Sequence, residues 1–320
     1  MSSASALARR LEAVAHLTLI TNASLAARTR FGIGGPADLY LETPRVESLL
    51  EAIEVLRRAG QRWAVIGAGT NLIAADEGFR GAVLRYTGAR ILRGEEGLLA
   101  EAGGELQALV DYANTHGLRG LETLAGIPGT VGGAVYGNAG AYGHSISECV
   151  WQVWAWNGQR VERLDQAACA FDYRESVFKQ RKNWIVLSVE LRMAPGDPKE
   201  LVRTSTALIS LRSQKYPPEM KCAGSIFKNL IYERLPPEAM RALPLELVRE
   251  GRVPAAWFLE QVGAKGLRRG DLVVAAHHAN LIYNAGRGTA RDLRDLIAEL
   301  KRRVKERFGL ELEEEVQFLE

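Results

Sequence analysis

Two glycine clusters carry the clearest chemical potential in this chain. One is Val65-Ile66-Gly67-Ala68-Gly69-Thr70-Asn71-Leu72; the other runs from Ala125-Gly126-Ile127-Pro128-Gly129-Thr130-Val131-Gly132-Gly133-Ala134 on to Asn138-Ala139-Gly140-Ala141-Tyr142-Gly143. Glycine weakens helices and strands and is used where backbone turns sharply or approaches a ligand. Successive exposed N–H groups in the second cluster would form a concave anion site, for which a pyrophosphate is the natural ligand. A tightly packed loop under a sheet uses glycine equally well, so the residues alone leave both readings open. The first cluster is a poor dinucleotide fingerprint, because Leu72 stands at the third glycine of G-x-G-x-x-G and no strand, helix and ribose-binding acid follow in order. It is also no P-loop, since no Gly-Lys-Ser/Thr follows.

The other reactive side chains mainly exclude. Cys149, Cys169 and Cys222 lie far apart without a C-x-x-C pair, so neither a disulfide framework nor a zinc site is suggested. The histidines include no H-E-x-x-H, and His277 and His278 are adjacent, so they cannot share one helix face around a metal. No metal is expected. Lys plus Arg total 41 against 38 Asp plus Glu, a net charge of +3 and far from the clustered excess that neutralises nucleic acid. No nucleic-acid partner is expected either. With 320 residues, 47% hydrophobic and 25% charged, the chain has ordinary globular composition, and its length suits roughly two to three domains. Arg9, Arg10 and Glu12 interrupt the apolar stretch that a signal peptide needs, and no apolar window of about 18 residues occurs. A cytoplasmic protein without membrane insertion is the expectation.

The elements that must position the clusters are partly legible. Ala4 to Ala15 reads as a leading helix. Trp63 to Ile66, the first glycine loop and Gly81 to Tyr86 read as strand, loop and strand. Leu98 to Glu101 is followed by helical spacing over Leu106 to His116. Val150 to Ala155 and Gln159 to Leu164 flank Asn157-Gly158, a strong hairpin signal, and Trp184 to Met193 reads as one more strand. Ala194-Pro195-Gly196-Asp197-Pro198 breaks the pattern before a helix from Lys199 to Lys215, which places a domain boundary there. Leu293, Leu296, Ile297, Leu300, Val304 and Phe308 follow the helical period, and acids interspersed on the basic opposite face mark it as solvated.

Several further motifs join the glycine loops: Thr29-Arg30-Phe31-Gly32-Ile33-Gly34-Gly35-Pro36-Ala37, Tyr173-Arg174-Glu175-Ser176, Gly224-Ser225-Ile226-Phe227-Lys228-Asn229, Ala256 to Gly266, His278 to Asn284, Phe308-Gly309-Leu310 and Glu315-Val316. In this order and spacing, over residues 20 to 317, the chain resembles the MurB family of UDP-N-acetylenolpyruvoylglucosamine reductases. The short separation of Arg174 from Ser225 matches the subclass lacking an extra tyrosine-bearing loop. The resemblance implies an α+β fold: an N-terminal extension over 1–19, then a two-subdomain FAD-binding unit of the vanillyl-alcohol-oxidase/PCMH type over 20–195, split near 88. A MurB-type α+β substrate domain over 199–320 would follow.

By the same resemblance, FAD binds tightly and non-covalently, with its pyrophosphate on the backbone of Gly67 to Asn71 and of Ile127 to Gly133. The cofactor-binding set is Ile66, Gly67, Ala68, Gly69, Thr70, Asn71 and Leu72, then Ile127, Pro128, Gly129, Thr130, Val131, Gly132 and Gly133, and finally Asn138, Ala139, Gly140 and Ala141. The implied reaction uses NADPH to reduce an enolpyruvyl ether on a UDP-sugar to a lactyl ether, a UDP-N-acetylmuramate dehydrogenase activity of peptidoglycan synthesis. Hydride adds to the terminal alkene carbon, placing negative charge beside the carboxylate; one proton must then reach the other carbon. Arg174 matches the catalytic arginine, whose fork suits the carboxylate and the charge building on it. Ser225 matches the serine that protonates the enolate, and Glu315 the residue that polarises or orients the substrate. Tyr173, Lys215, Lys228 and Asn229 match substrate contacts. A monomer is expected.

Without the family, each residue has a plainer role: Arg174 as an ion pair, Ser225 as a turn residue, Glu313-Glu314-Glu315 as a solvated tail. Leu230 stands where the family usually has proline, His277 replaces a common lysine, and the Pro- and Glu-rich stretch from Leu230 to Arg252 is longer than the subclass suggests. Two alternatives are another flavin oxidoreductase on the same cradle and a non-catalytic nucleotide-binding protein. The first lacks a histidine anchor inside the glycine segments, although His144 follows directly. The second predicts loss of the Arg174, Ser225 and Glu315 set.

Overall fold

The computed structural model describes residues 3–94 and 97–320. The chain is α+β and divides into two compact units. The first comprises residues 1–23, 37–68 and 80–214; the second comprises 24–36, 69–79 and 215–320.

In the first unit, one sheet runs in the order Thr18–Ser24, Pro36–Thr43, Phe79–Tyr86, Trp63–Ile66. The last two strands pair in parallel, Trp63 against Ala82 through Ile66 against Arg85. Parallel neighbours need a crossover, and here it is residues 67–78, of which 69–78 belong to the second unit. Those residues include a strand not anticipated from the sequence, Leu72–Ala74, paired in parallel with Gln317–Leu319. Its three residues are too few for a periodic signal, and its pairing partner is remote in sequence.

Between Tyr86 and Ile91 the chain passes to a second, antiparallel sheet ordered Val161–Asp165, Val150–Trp156, Ile185–Arg192, Gly97–Glu101, Ile91–Arg93. The hairpin at Asn157-Gly158 forms, with its turn centred one residue later, on Gly158 and Gln159: Asn157 N–H donates to the Arg160 carbonyl, Gly158 takes φ +99°, and Asn157 Oδ1 accepts from Gln159 and Arg160 N–H. The helices Val46–Arg58 and Leu106–Thr115 bury one stripe each, Leu49, Ala52, Ile53 and Leu56 on the first and Leu106, Leu109, Val110 and Ala113 on the second. The helix Pro198–Lys215 belongs almost wholly to this unit, so the observed division falls after it rather than at 195–199. A buried hydrogen bond from Asn114 Nδ2 to Ser205 Oγ at 2.7 Å ties it there.

The second unit carries an antiparallel sheet ordered Cys222–Ser225, Leu281–Asn284, Leu272–Val274, Arg268–Arg269. The helix Ala290–Phe308 contributes the predicted apolar stripe to its core, starts at a Thr289 cap and stops at left-handed Gly309. Its outer face is solvated, with Arg302 and Arg303 paired to Glu299 and Glu306 at helical spacing. The early Thr29 to Ala37 motif also belongs here, because Phe31 and Ile33 are buried in this core. At Gly34 a Cβ would stand 2.5 Å from the Ala74 methyl, so that backbone approach requires glycine. The stretch from Leu230 to Arg252 leaves and returns through a two-residue ladder, Leu230 with Val253 and Ile231 with Arg252. Leu235, Ala239 and Leu243 pin it to the core. Among the described residues no helix is long and apolar enough to cross a membrane.

Candidate active site

The first glycine loop leaves strand Trp63–Ile66 beside the second cluster. A Cβ on Gly67 would stand 2.7 Å from Thr130 Oγ1, and one on Gly132 would stand 2.8 Å from the Ala102 methyl. Close packing therefore explains why glycine is needed there. Anion binding depends on the N–H groups, and most in the second cluster are already spent. Ile127 N–H donates to Leu124, Val131 to Gly104, Gly132 to Ala102 and Gly133 to Thr130 Oγ1. The N–H groups of Gly67, Ala68, Gly129 and Thr130 find no acceptor among the described residues. The two readings left open by the sequence thus hold at different atoms of one structure: missing side chains serve packing, and the remaining N–H groups suit an oxyanion.

Farther along, Gly69 and Asn71 are engaged in the second unit. Arg30 N–H donates to the Gly69 carbonyl at 3.1 Å, and Asn71 Nδ2 donates to the Glu315 carbonyl at 3.0 Å. Leu72 lies in the strand against Gln317.

Arg174 is the third residue of a tight turn closed by hydrogen bonds in both directions between Asp172 and Glu175. Its φ of +58° is one that side chains avoid. The surroundings fix it. Arg174 Nη2 donates to the Gly140 carbonyl at 2.8 Å and Nη1 to that of Asn138 at 3.4 Å; Lys179 Nζ donates to the Arg174 carbonyl at 2.8 Å. The guanidinium also stands 5.1 Å from the Tyr173 ring centroid. Asn138, itself at φ +42°, donates from Nδ2 to the Asp172 carbonyl at 2.8 Å. The structure thus brings Arg174 and Tyr173 together with the tail of the second glycine cluster. Asn138, named from the sequence as a cofactor contact, supports this turn through Asp172, and Lys179, which no local pattern flags, supports it through the Arg174 carbonyl.

Ser225 ends strand Cys222–Ser225. Cys222 pairs with Tyr283 and Ser225 with Leu281, so the Ser225 strand holds one extra residue. Gly224, at φ +78° with no atom within 4 Å of a Cβ position, supplies that bulge through its conformation rather than its size. The serine is therefore set by a bulged strand end, not an ordinary turn. Glu315 is brought to it by a bond from its N–H to the Ile226 carbonyl at 2.7 Å. Phe227 bridges to Glu314, and Lys228 is nearly buried and paired with Glu313. Asn280 clamps the segment behind Ser225: its Oδ1 accepts from Phe227 N–H at 2.9 Å and its Nδ2 donates to the Phe227 carbonyl at 2.8 Å. Ser225, Glu315 and Lys228 thus share one locality, with Asn229 next in chain and Lys215 nearby through Tyr216, whose hydroxyl lies 3.1 Å from Ser225 Oγ. Burial first, then the Lys215 and His277 charges, lower the His278 pKa to about 4, so this imidazole is neutral at pH 7.

The family of the UDP-N-acetylenolpyruvoylglucosamine reductase C-terminal domain matches residues 216–319, and the FAD binding domain family matches residues 37–163. The UDP-N-acetylenolpyruvoylglucosamine reductase of Solibacter usitatus is 56% identical over 310 residues, covering 97% of this chain and 99% of its own length. This chain belongs to the UDP-N-acetylenolpyruvoylglucosamine reductase family. The Rubrobacter xylanophilus member is 39% identical, with 90% of this chain and 91% of that protein covered. A crystal structure of the Thermus caldophilus reductase matches with a TM-score of 0.73 at 30% identity, covering 95% of this chain and 99% of that one. The N–H groups of Gly67, Ala68, Gly129 and Thr130 are donors of the kind that a pyrophosphate such as that of FAD accepts from.

Proposed function

We infer that this chain reduces UDP-N-acetylglucosamine enolpyruvate to UDP-N-acetylmuramate in peptidoglycan precursor synthesis, with FAD as cofactor and NADPH as reductant. The observation that carries the reading is full-length kinship at 56% identity to a curated reductase. FAD, when bound, supplies the hydride chemistry. The protein's part is to hold both partners and manage charge and proton. The N–H groups of Gly67, Ala68, Gly129 and Thr130 bind the cofactor pyrophosphate, within a site that Ile66 to Leu72, Ile127 to Gly133 and Asn138 to Ala141 outline.

Reduction of the alkene leaves negative charge beside the substrate carboxylate. Arg174 binds that carboxylate, and its fork stabilises the growing charge because it is already oriented by backbone carbonyls. Ser225 passes its hydroxyl proton to the enolate carbon, where position matters more than a lowered pKa. Glu315 orients the substrate; Tyr173, Lys215, Lys228 and Asn229 contact its carboxylate or diphosphate. The enzyme works as a monomer in the cytoplasm.

The purified protein is expected to be yellow, to have its flavin reduced once by NADPH alone, and to turn NADPH over repeatedly only when the enolpyruvyl UDP-sugar is present. A colourless protein that cannot be reconstituted with FAD, or one that turns over without the UDP-sugar, would overturn the reading.

A further inference from the structure

The proton that Ser225 gives away must be replaced, and an alkoxide left behind would be a poor product for so weak an acid. The second unit places a better acid directly behind it. Tyr216 packs on the small cluster of Cys222, Ala275 and Leu281, beside Met220 and Tyr283, which fixes its ring. Its Oη lies 3.1 Å from Ser225 Oγ, and the ring is half-buried. Lys215 Nζ stands 5.0 Å from the Tyr216 ring centroid. The His278 ring, 6.4 Å away, is neutral at pH 7, and its Nδ1 accepts the Asn280 N–H at 3.2 Å. His277 is turned to the Lys215 carbonyl, with Nε2 at 2.9 Å. Lys215 is therefore the cation among these groups that faces the phenol.

We propose that Tyr216 is the positioning residue for Ser225 and the source of its replacement proton. The inference rests on the reading of Ser225 as proton donor. The Tyr216 O–H donates to Ser225 Oγ, which turns the serine proton outward. As the enolate carbon takes that proton, a C–H bond forms from the enolate electron pair, the Ser225 O–H bond breaks, and the Tyr216 proton moves to Ser225 Oγ. A phenolate is left, and solvent or the Lys215 ammonium returns its proton. No oxidant or reductant enters this step. A phenol is a far stronger acid than an alkyl hydroxyl, so the relay ends on the group best able to hold the charge. Packing alone would be served by phenylalanine, whereas a half-buried hydroxyl aimed at Ser225 carries a desolvation cost that its hydrogen bond offsets.

The test uses flavin-loaded Tyr216→Phe and Ser225→Ala, with the two half-reactions followed separately by flavin absorbance. Tyr216→Phe should be reduced by NADPH at the wild-type rate and bind the UDP-sugar within about twofold, yet be reoxidised by it roughly 100-fold more slowly. In mixtures of light and heavy water, the wild-type reoxidation rate should curve as two protons move, and that of Tyr216→Phe should be linear. Wild-type reoxidation in Tyr216→Phe, or equal slowing of both half-reactions, overturns the proposal. If Ser225→Ala is also reoxidised normally, the serine reading has failed; if it is slow while Tyr216→Phe is fast, only the relay has failed. Should Tyr216→Phe lose its flavin, fluorotyrosine at position 216 keeps the shape and changes the acidity. An unchanged reoxidation rate there would also overturn the relay.

Discussion

Arg174 and Ser225 serve the same proposed step, but the protein holds them by different means. Arg174 has a left-handed backbone, two carbonyls on its guanidinium and an ammonium on its own carbonyl. Its orientation is fixed several times over, which is how a costly φ persists at a functional position. Ser225 has an ordinary backbone beside a glycine bulge, and its side chain has a rotatable hydroxyl within reach of one phenol. A charge stabiliser works best when nothing has to reorganise as charge develops. A proton donor must let its hydrogen leave, so its support lies in the backbone behind it, through Asn280, and in a second acid.

The largest effect should come from the rigid side of this comparison. Arg174→Ala should lower kcat by about 100- to 1000-fold, as loss of a preorganised charge donor does, and Arg174→Lys should recover little because it lacks the fork. The same position offers a stability contrast: Arg174→Gly should be more stable than Arg174→Ala by roughly 1 kcal/mol in urea melts, since glycine accepts φ +58° without strain. Equal stability of the two would show that the strain is absent. Next in size, Asn280→Ala leaves the buried Phe227 N–H and carbonyl without their partner, at a cost of about 3 kcal/mol. It should also slow reoxidation more than flavin reduction; equal slowing would make Asn280 a purely structural clamp.

The smallest effect concerns acid. Folded His278 takes a proton only near pH 4, while in the unfolded chain it takes one near the ordinary histidine value of 6.5. The unfolded state therefore binds more protons between those values, and stability falls as pH drops through that window and stays flat above it. Thermal melts of His278→Gln should lose less stability than wild type from pH 6.5 to 4.

How much of this was legible depended on the distance over which each contact acts. Asn157-Gly158, the stripe from Leu293 to Phe308 and the stop at Gly309 are local, so spacing and turn chemistry sufficed. The strand Leu72–Ala74 was not legible, because its pairing with Gln317–Leu319 spans most of the chain. Nor was the placement of the helix Pro198–Lys215, which depends on a bond between Asn114 and Ser205. At the candidate site, residue types and order pointed to Arg174, Ser225 and Glu315 through their resemblance to a family. They gave no sign of Tyr216 or Lys179, whose significance is a single distance each.

The sequence by itself determined the family and the chemistry to be expected, because motifs in fixed order encode these, and through that resemblance it pointed to two glycine loops for a flavin. Tertiary structure decided which backbone donors of the glycine loops are spent within the protein and which are not. A buried N–H must find an acceptor, and those for Val131 and Gly132, at Gly104 and Ala102, come from a different part of the chain.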